Sequence, residues 1–441
     1  MQLDRFPARG DGAHTAPVFG LPGGEAKAWA AGFPGVNGGV LLCHDRGDTG
    51  YTFEGPAVPD ASDPRRNRLA AVPPSIPRSK FRRFVQVGLL TVTAAVATDL
   101  VLAQAGKLLV PSWREERAES AARVPNAVFH HGLAPLVEFR HRWGAAYAPY
   151  FTNSLGFRDA SPRRVPLDPD GRRILFMGDS MTEGLGVTFE ETFVGRIGAA
   201  LASRAIEVLN GALTSYAGSV YYRKTKHLVA DVGLRTDAVV VFIDVSDMED
   251  EVRCYRMGGD EVVRSICPRP SVARRVKNFL KEHSIYYRLY RTLKDAHSEW
   301  SRWQRLGRIG AVTNLTRARW TLDDDLFERI GRPGLEKNAA HLDKLAAFLA
   351  ARGIPLTVAV YPWPDQIVAR DLHSKQVTFW RAWAGSRGVG FVDLFPAFIN
   401  DEDPASVIAR YFIPYDVHFN AAGHALVAKA FLESYRLPSR P

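Results

Sequence analysis

ILFMGDSMTEGLGV occupies residues 174–187. Four apolar residues, Ile174 to Met177, run straight into Gly178, Asp179 and Ser180. A segment built for burial therefore stops on a serine flanked by an acid and followed by two nearby glycines. One reading is a strand ending in a tight turn. The sharper reading is a strand that ends by presenting a nucleophile, and it requires a histidine, an acid and oxyanion donors elsewhere in the chain.

Around this stretch the pattern is regular. RILFMG (173–178), IEVLNG (206–211), DAVVVFID (237–244), LTVAVY (356–361) and GFVDLF (390–395) are short runs of β-branched and apolar residues, the signature of buried strands. Helical patterns lie at 190–204, 217–232, 336–352, 373–387 and 421–435. Strands alternating with helices predict an α/β fold with a parallel sheet covered on both faces. Such sheets bind ligands beyond the carboxyl ends of their strands, and Ser180 lies just past the end of the first.

A serine hydroxyl is a poor nucleophile at neutral pH. An imidazole must take its proton, and a carboxylate must hold that imidazole in the right tautomer. YFIPYDVHFNAAGHALVAKAF (411–431) offers Asp416 and His418 two residues apart, just before the last helical pattern. GDS and DxH each arise by chance in long chains, but a strand-end serine and a histidine before the closing helix form a set. The competing reading makes Asp179 or Ser180 a helix cap and puts Asp416 and His418 on a surface loop. His424, beyond that loop, is expected to cap or pack within the last helix.

The set resembles the SGNH, or GDSL-type, hydrolase family. The resemblance is carried by Gly178-Asp179-Ser180 with Thr182, by Asn210, by VVVFIDVSDMEDE after the third strand, and by Asp416-Val417-His418. It implies a flavodoxin-like three-layer α/β/α sandwich with a five-stranded parallel sheet of order 2-1-3-4-5. It also implies Ser180 as nucleophile, His418 as base, Asp416 as its orienting acid, and neither metal nor organic cofactor. TNSLGFRD (152–159), with an N-terminal membrane segment, looks like a bacterial membrane-anchored branch. The family's second block offers a glycine amide to the oxyanion; NGALTSY places Ser215 there. Its third block offers an asparagine; here Ser246 stands in that place, and the acid–histidine spacing is two instead of three. Ser215, Ser246 and Asp179 are thus the oxyanion or substrate-binding candidates. If water clears the acyl-enzyme the protein is an esterase; if a sugar hydroxyl does, it is an O-acyltransferase. A fold that only binds an envelope polymer is the third possibility, motivated by the missing asparagine.

The remainder of the chain sets location. Residues 1–78 are rich in Gly, Pro, Ala and Asp without periodicity, and read as a disordered tail or as a start codon set too early. Arg78, Lys80, Arg82 and Arg83 precede an apolar run from Phe84 to Leu102, close to the ~20 residues a membrane span needs. Residues 79–105 are expected to be an uncleaved signal anchor, with the basic flank in the cytoplasm and the catalytic part outside. A buried core helix and a cleaved signal peptide ending at Ala103-Gln104-Ala105 are the alternatives. Asp99 interrupts the run, and a charge in mid-bilayer costs about 2.5 kcal/mol or more.

Residues 106–150 read as a connector with some helix, in which His130 and His131 are solvated loop residues. Residues 151–437 read as the hydrolase domain, with a helical insertion at about 248–335 capping the sheet. Cys254 and Cys267 within it are either a disulfide or two buried thiols. Three cysteines exclude a disulfide scaffold and leave no zinc-type cluster. The net charge of +10 suits an anionic surface without choosing one. Arg253, Arg264, Arg269, Arg274, Arg275 and Lys277 read as a solvated basic face, with an anionic polymer or lipid headgroups as the alternative, and Tyr361-Pro362-Trp363-Pro364 as a packed rim, with sugar stacking as the alternative. The expected partners are an ester or acylated glycan and the membrane, with no nucleic acid.

Overall fold

The computed structural model describes residues 77–436 apart from 144–145, 268–270 and 314. The readings placed on residues 1–76 and on Arg269 lie outside the described residues. The first element, α1 (Arg78–Leu109), leaves Phe84, Leu89, Leu90 and Val92 exposed. It is the one helix among the described residues long and apolar enough to cross a membrane. Protein packing begins near its end, where Ala103 and Gly106 are buried. There Trp113 of α2 (Pro111–Ala122) lies so close that a Cβ on Gly106 would sit 2.1 Å from the indole.

Segment 106–150, expected as a connector, carries strands. β1 (Arg123–Asn126) and β2 (His130–Leu133) form an antiparallel pair. β3 (Glu138–Trp143), β4 (Ala146–Thr152) and β5 (Arg158–Asp159) form an antiparallel extension of the main sheet. In EFRHRW, Phe139 and His141 are buried while Glu138 and Arg140 are exposed, the period-two pattern of a half-buried strand.

The chain then runs through β6 (Arg172–Met177), α3 (Ser180–Glu183), α4 (Phe193–Ala202), β7 (Ile206–Asn210), α5 (Gly218–Lys226), β8 (Ala238–Ile243) and α6 (Asp247–Arg253). After β9 (Tyr255–Met257) and β10 (Val263–Ser265) come α7 (Val272–His283), α8 (Ile285–Gly310), α9 (Thr316–Arg319), α10 (Asp324–Leu326) and α11 (Arg332–Ala350). β11 (Leu356–Val360), α12 (Pro364–Ala369), α13 (Lys375–Gly385), β12 (Gly390–Asp393), α14 (Phe395–Phe398), α15 (Pro404–Tyr411) and α16 (Ala421–Ser434) complete it.

The main sheet has eight strands in the order β12-β11-β8-β6-β7-β5-β4-β3. The expected five-stranded sheet is thus too small: β6, β7, β8, β11 and β12 are parallel, and β5 adds the antiparallel edge by pairing Arg158 with Asn210 of β7. Central strand β8 has Val239, Val240, Val241 and Phe242 fully buried, each worth roughly 1.5–3 kcal/mol of transfer free energy. α4 and α16 pack together through Phe193, Phe242 and Phe431, while α5 packs with α11. Right-handed crossovers set these pairs on opposite faces. β6 is flanked by β7 and β8, so its carboxyl end opens at the middle of the sheet's edge.

The segment expected as a helical insertion without a clear strand contains the β9–β10 hairpin, in which Tyr255 pairs with Ser265. Three-residue strands around Gly258-Gly259 are too short for periodicity to reveal. A disulfide between Cys254 and Cys267 closes the hairpin's base. α7 and α8 pack on each other and on α1. Closing a loop of this size removes about 3 kcal/mol of unfolded-state entropy in the chain model. Cys254→Ser is therefore expected to lower unfolding free energy by roughly 2–3 kcal/mol, read in urea melts beside the parent with and without reductant. Identical melts would show that the bridge adds no stability.

Candidate active site

The turn after β6 leaves no room for a side chain at Gly178: a Cβ there would lie 2.1 Å from Thr182 Oγ1. Asp179 then caps the single turn α3, its Oδ1 accepting from Met181 N at 3.0 Å. Gly184, at φ 83°, ends that turn in the left-handed region. Ser180 is thereby fixed at the head of one helical turn, at the crest of the sheet.

Its Oγ lies 2.9 Å from His418 Nε2 and 3.2 Å from Asp179 Oδ2. The hydroxyl has one proton for two acceptors. With His418 neutral, the proton goes to Nε2; with His418 protonated, Nε2–H donates to Oγ and the hydroxyl turns to Asp179. On the far side of the ring, Nδ1 donates to Asp416 Oδ1 at 2.5 Å. That oxygen also accepts His418 N at 2.9 Å, which is how an acid only two residues away reaches the imidazole. The loop is pinned by the Phe412–Phe419 bridge, and Asn420 caps α16 by accepting from the amides of Ala422 and Gly423.

The other oxygen of Asp416 accepts Trp143 Nε1 at 3.0 Å, and the indole packs edge-on against the His418 ring at 4.8 Å. Burial opposes charge on His418, but the Asp416 hydrogen bond and charge, helped by Asp179 and Asp244, hold its pKa above the usual value. Burial likewise opposes charge on Asp416, yet its bonds to His418 and Trp143 keep its pKa below the ordinary one. His424 is apart from this chain: its Nδ1 accepts from Phe193 N at 3.2 Å, and burial drives its pKa down to about 3.

The remaining site candidates fall on two sides of Ser180. Ser215 has φ 64°, the backbone region that favours glycine. Three groups hold it there. Glu183 Oε2 accepts from Thr214 N at 2.7 Å and Thr214 Oγ1 at 2.5 Å; Tyr255 OH donates to Ser215 O at 2.5 Å; His131 Nε2 donates to Thr214 O at 3.1 Å. Glu183 is fully buried, which opposes its charge, but Arg123 and the Thr214 bonds bring its pKa down to about 2. Glu183→Gln is expected to lower kcat roughly 10- to 100-fold with a smaller change in KM, by loosening the Ser215 loop. Unchanged kcat with a lowered Tm would reduce Glu183 to a folding role.

Ser246 opens α6, and its amide is taken by Asp244 Oδ1 at 2.7 Å, leaving the hydroxyl as its donor. Beside it, Asp179, Asp244 and Asp247 are buried with carboxylate oxygens within 4.8 Å of one another. This is the one acid group among the described residues close enough to share a metal ion. Donors already occupy oxygens of all three: Tyr361 OH on Asp179 (3.2 Å), Trp363 Nε1 on Asp244 (2.7 Å) and Tyr221 OH on Asp247 (2.8 Å). Burial first, then mutual repulsion, raises the pKa of Asp179 and Asp247.

A cavity of about 470 Å³ lies against this machinery, lined by Arg123, His130, His131, Trp143, Ser215 and Tyr255 among others. The reading of His130 and His131 as solvated loop residues is corrected: they sit in β2, half-buried, and burial pushes the His131 pKa down to about 4. Trp143, Glu183 and Arg123 were missed from sequence. Arg158 of TNSLGFRD was not given a role; it is buried and donates to the carbonyls of Glu183, Gly184 and Val187, tying down the loop after Ser180. A larger hollow of about 1070 Å³ is lined by residues leading into β11 and β12, such as Ile354 and Val389, at the opposite end of the strands.

What makes the protein a hydrolase acting on ester bonds is its family. The chain belongs to the GDSL-like Lipase/Acylhydrolase family, whose sequence model matches residues 176–426. Among solved structures it is similar to an acetylxylan esterase from Geobacillus stearothermophilus, at 16% identity over 62% of this chain and 100% of that one, with a TM-score of 0.34. It is similar to a psychrotrophic esterase from Pseudoalteromonas sp. at 10% identity, over 60% of this chain and 96% of that one, TM-score 0.31. An alpha/beta hydrolase enzyme from the metagenome of Lake Arreo, Spain, is 15% identical over 61% of this chain and 96% of that one, TM-score 0.31. No curated protein matches the chain.

Proposed function

We propose that the protein is a membrane-anchored serine esterase of the bacterial cell envelope that removes O-acyl groups, acetyl above all, from a glycan outside the cytoplasm. The observation that carries the chemistry is the continuous chain Ser180 Oγ, His418 Nε2, His418 Nδ1, Asp416 Oδ1. Ser180 attacks the ester carbonyl as its proton passes to His418. Asp416 steadies the imidazolium, and Trp143 steadies Asp416. The amides of Ser180 and Ser215 and the Ser246 hydroxyl receive the oxyanion, each such donor being worth about 10²–10³ in rate. His418 returns the proton to the leaving sugar oxygen, and then helps water cleave the acyl-enzyme. The unbroken Ser180–His418–Asp416 chain favours turnover over the reading as a pure binding module.

The cavity supports a glycan: its wall holds both aromatic rings and hydrogen-bonding groups, and it adjoins the triad through Trp143. Room for an acceptor sugar keeps acyl transfer as the second reading. α1 supports the anchor, its basic N-terminal flank the orientation, and the Cys254–Cys267 disulfide an oxidising compartment. The full chain in detergent is expected to release acetate from O-acetylated polysaccharides, with no release by Ser180→Ala. Hydrolysis of aryl esters without release from any glycan would remove the glycan from the proposal. A phosphatase reporter fused after residue 110 should be active on the outer side; an inactive one would reverse the orientation.

A further inference from the structure

We infer that α7 and the outward face of α8 form a second membrane contact, an interfacial platform resting on the bilayer that α1 crosses. The inference rests on the anchor reading of α1. Its starting point is Asp99, the charge in the apolar run. The Asp99 carboxylate accepts Tyr286 N at 3.0 Å, capping the first turn of α8 alongside Ser284, whose Oγ accepts Tyr287 N at 3.0 Å. From Phe84 to Leu102 the helix rises about 27 Å at about 1.5 Å per residue, close to the ~30 Å hydrocarbon thickness, and Asp99 stands one turn short of that far end. Asp99 therefore falls at the far interface, and it brings the junction of α7 and α8 to the same level. Arg288 fixes α8 further, bonding Glu116 at 3.1 Å and stacking 4.3 Å above the Trp113 ring.

At that level two helices expose apolar stripes. On α7, Val272, Val276 and Phe279 recur at i, i+4 and i+7, with exposures of 74%, 50% and 58%. On α8, Tyr286, Leu289, Tyr290 and Leu293 recur at i, i+3, i+4 and i+7, each more than half exposed. Arg274, Lys277 and Lys281 occupy the opposite face of α7. Seven large apolar side chains in water, on helices packed against an anchor, oppose the burial seen elsewhere in the protein. A lipid interface resolves the conflict. The helices that carry the stripes pack on α1, whose own apolar residues are uncovered, the basic residues match anionic headgroups, and tyrosines suit the boundary layer. The platform would hold the site at a fixed height above the membrane and favour substrates near its surface.

The test uses the full chain in vesicles of phosphatidylethanolamine and phosphatidylglycerol. On a Cys43→Ser background with the native disulfide intact, nitroxides are placed singly at Val92→Cys, Phe279→Cys and Lys277→Cys, and accessibility to oxygen and to a water-soluble nickel chelate is measured. The inference expects the labels at 92 and 279 to favour oxygen several-fold over the label at 277. A label at 279 open to nickel while that at 92 is protected overturns the platform and leaves the anchor standing. Protection at 279 from both agents means that protein covers the stripe, which also overturns it. Nickel access at 92 removes the anchor, and with it the inference.

Discussion

Ser180→Ala protein is expected to hydrolyse p-nitrophenyl acetate about 10⁴-fold or more below the parent in kcat, with His418→Ala falling to a similar level. The two losses should not add. Each variant removes the same step, the transfer of the Ser180 proton along the 2.9 Å contact to Nε2, so the double variant should be no slower than either single one. KM should move little, because neither side chain forms the wall of the adjoining cavity. Activity retained by Ser180→Ala would remove the nucleophile assignment outright. Activity lost in Ser180→Ala but retained in His418→Ala would point to a different base, and His424 is poorly placed for that role because its Nδ1 is held by Phe193 N.

The second large effect concerns Asp416. Asp416→Asn should lower kcat about 10³- to 10⁴-fold while leaving the loop folded. An amide can still accept from the backbone, but it can present an N–H to His418 Nδ1, and this favours the tautomer that cannot accept the Ser180 proton. The pH profile adds a sign. In the parent, His418 must be neutral to act as base, and its pKa is raised, so kcat/KM should climb with pH through a midpoint above 6.5. Asp416 is the largest raising influence, and burial acts the other way. In Asp416→Asn the residual activity should therefore titrate at lower pH than in the parent. A midpoint that stays in place, or rises, would mean that Asp416 does not set the charge on His418.

The sequence made one line of this site legible and hid the other. GDS at the end of an apolar run and DVH before a helix are local patterns, and their chemistry follows from residue type. Trp143 meets Asp416 across 273 positions, and nothing near either residue announces the other. Its strand, EFRHRW, alternates faithfully, but a six-residue strand rich in arginine and histidine looks like a solvated loop until the sheet beneath it is known. Glu183 is similar: within MTEG it passes for a helix-turn acid, and only the approach of Thr214 turns it into the clamp on the Ser215 loop. Asp99 stood out as a flaw in an apolar run, yet its purpose lay 187 positions away at the start of α8. Local chemistry and strand–helix alternation can be read along the chain; long-range polar partners and three-residue strands cannot.

The central claim is that Ser180 forms a covalent bond to the acyl carbon. It is tested most directly by treating the full chain with a fluorophosphonate and locating the added mass by peptide mass spectrometry. One equivalent of phosphonate on Ser180, with activity lost in step and no label on Ser180→Ala protein, is the predicted result. Label on another residue that tracks the loss of activity, or inhibition with Ser180 unmodified, would contradict it.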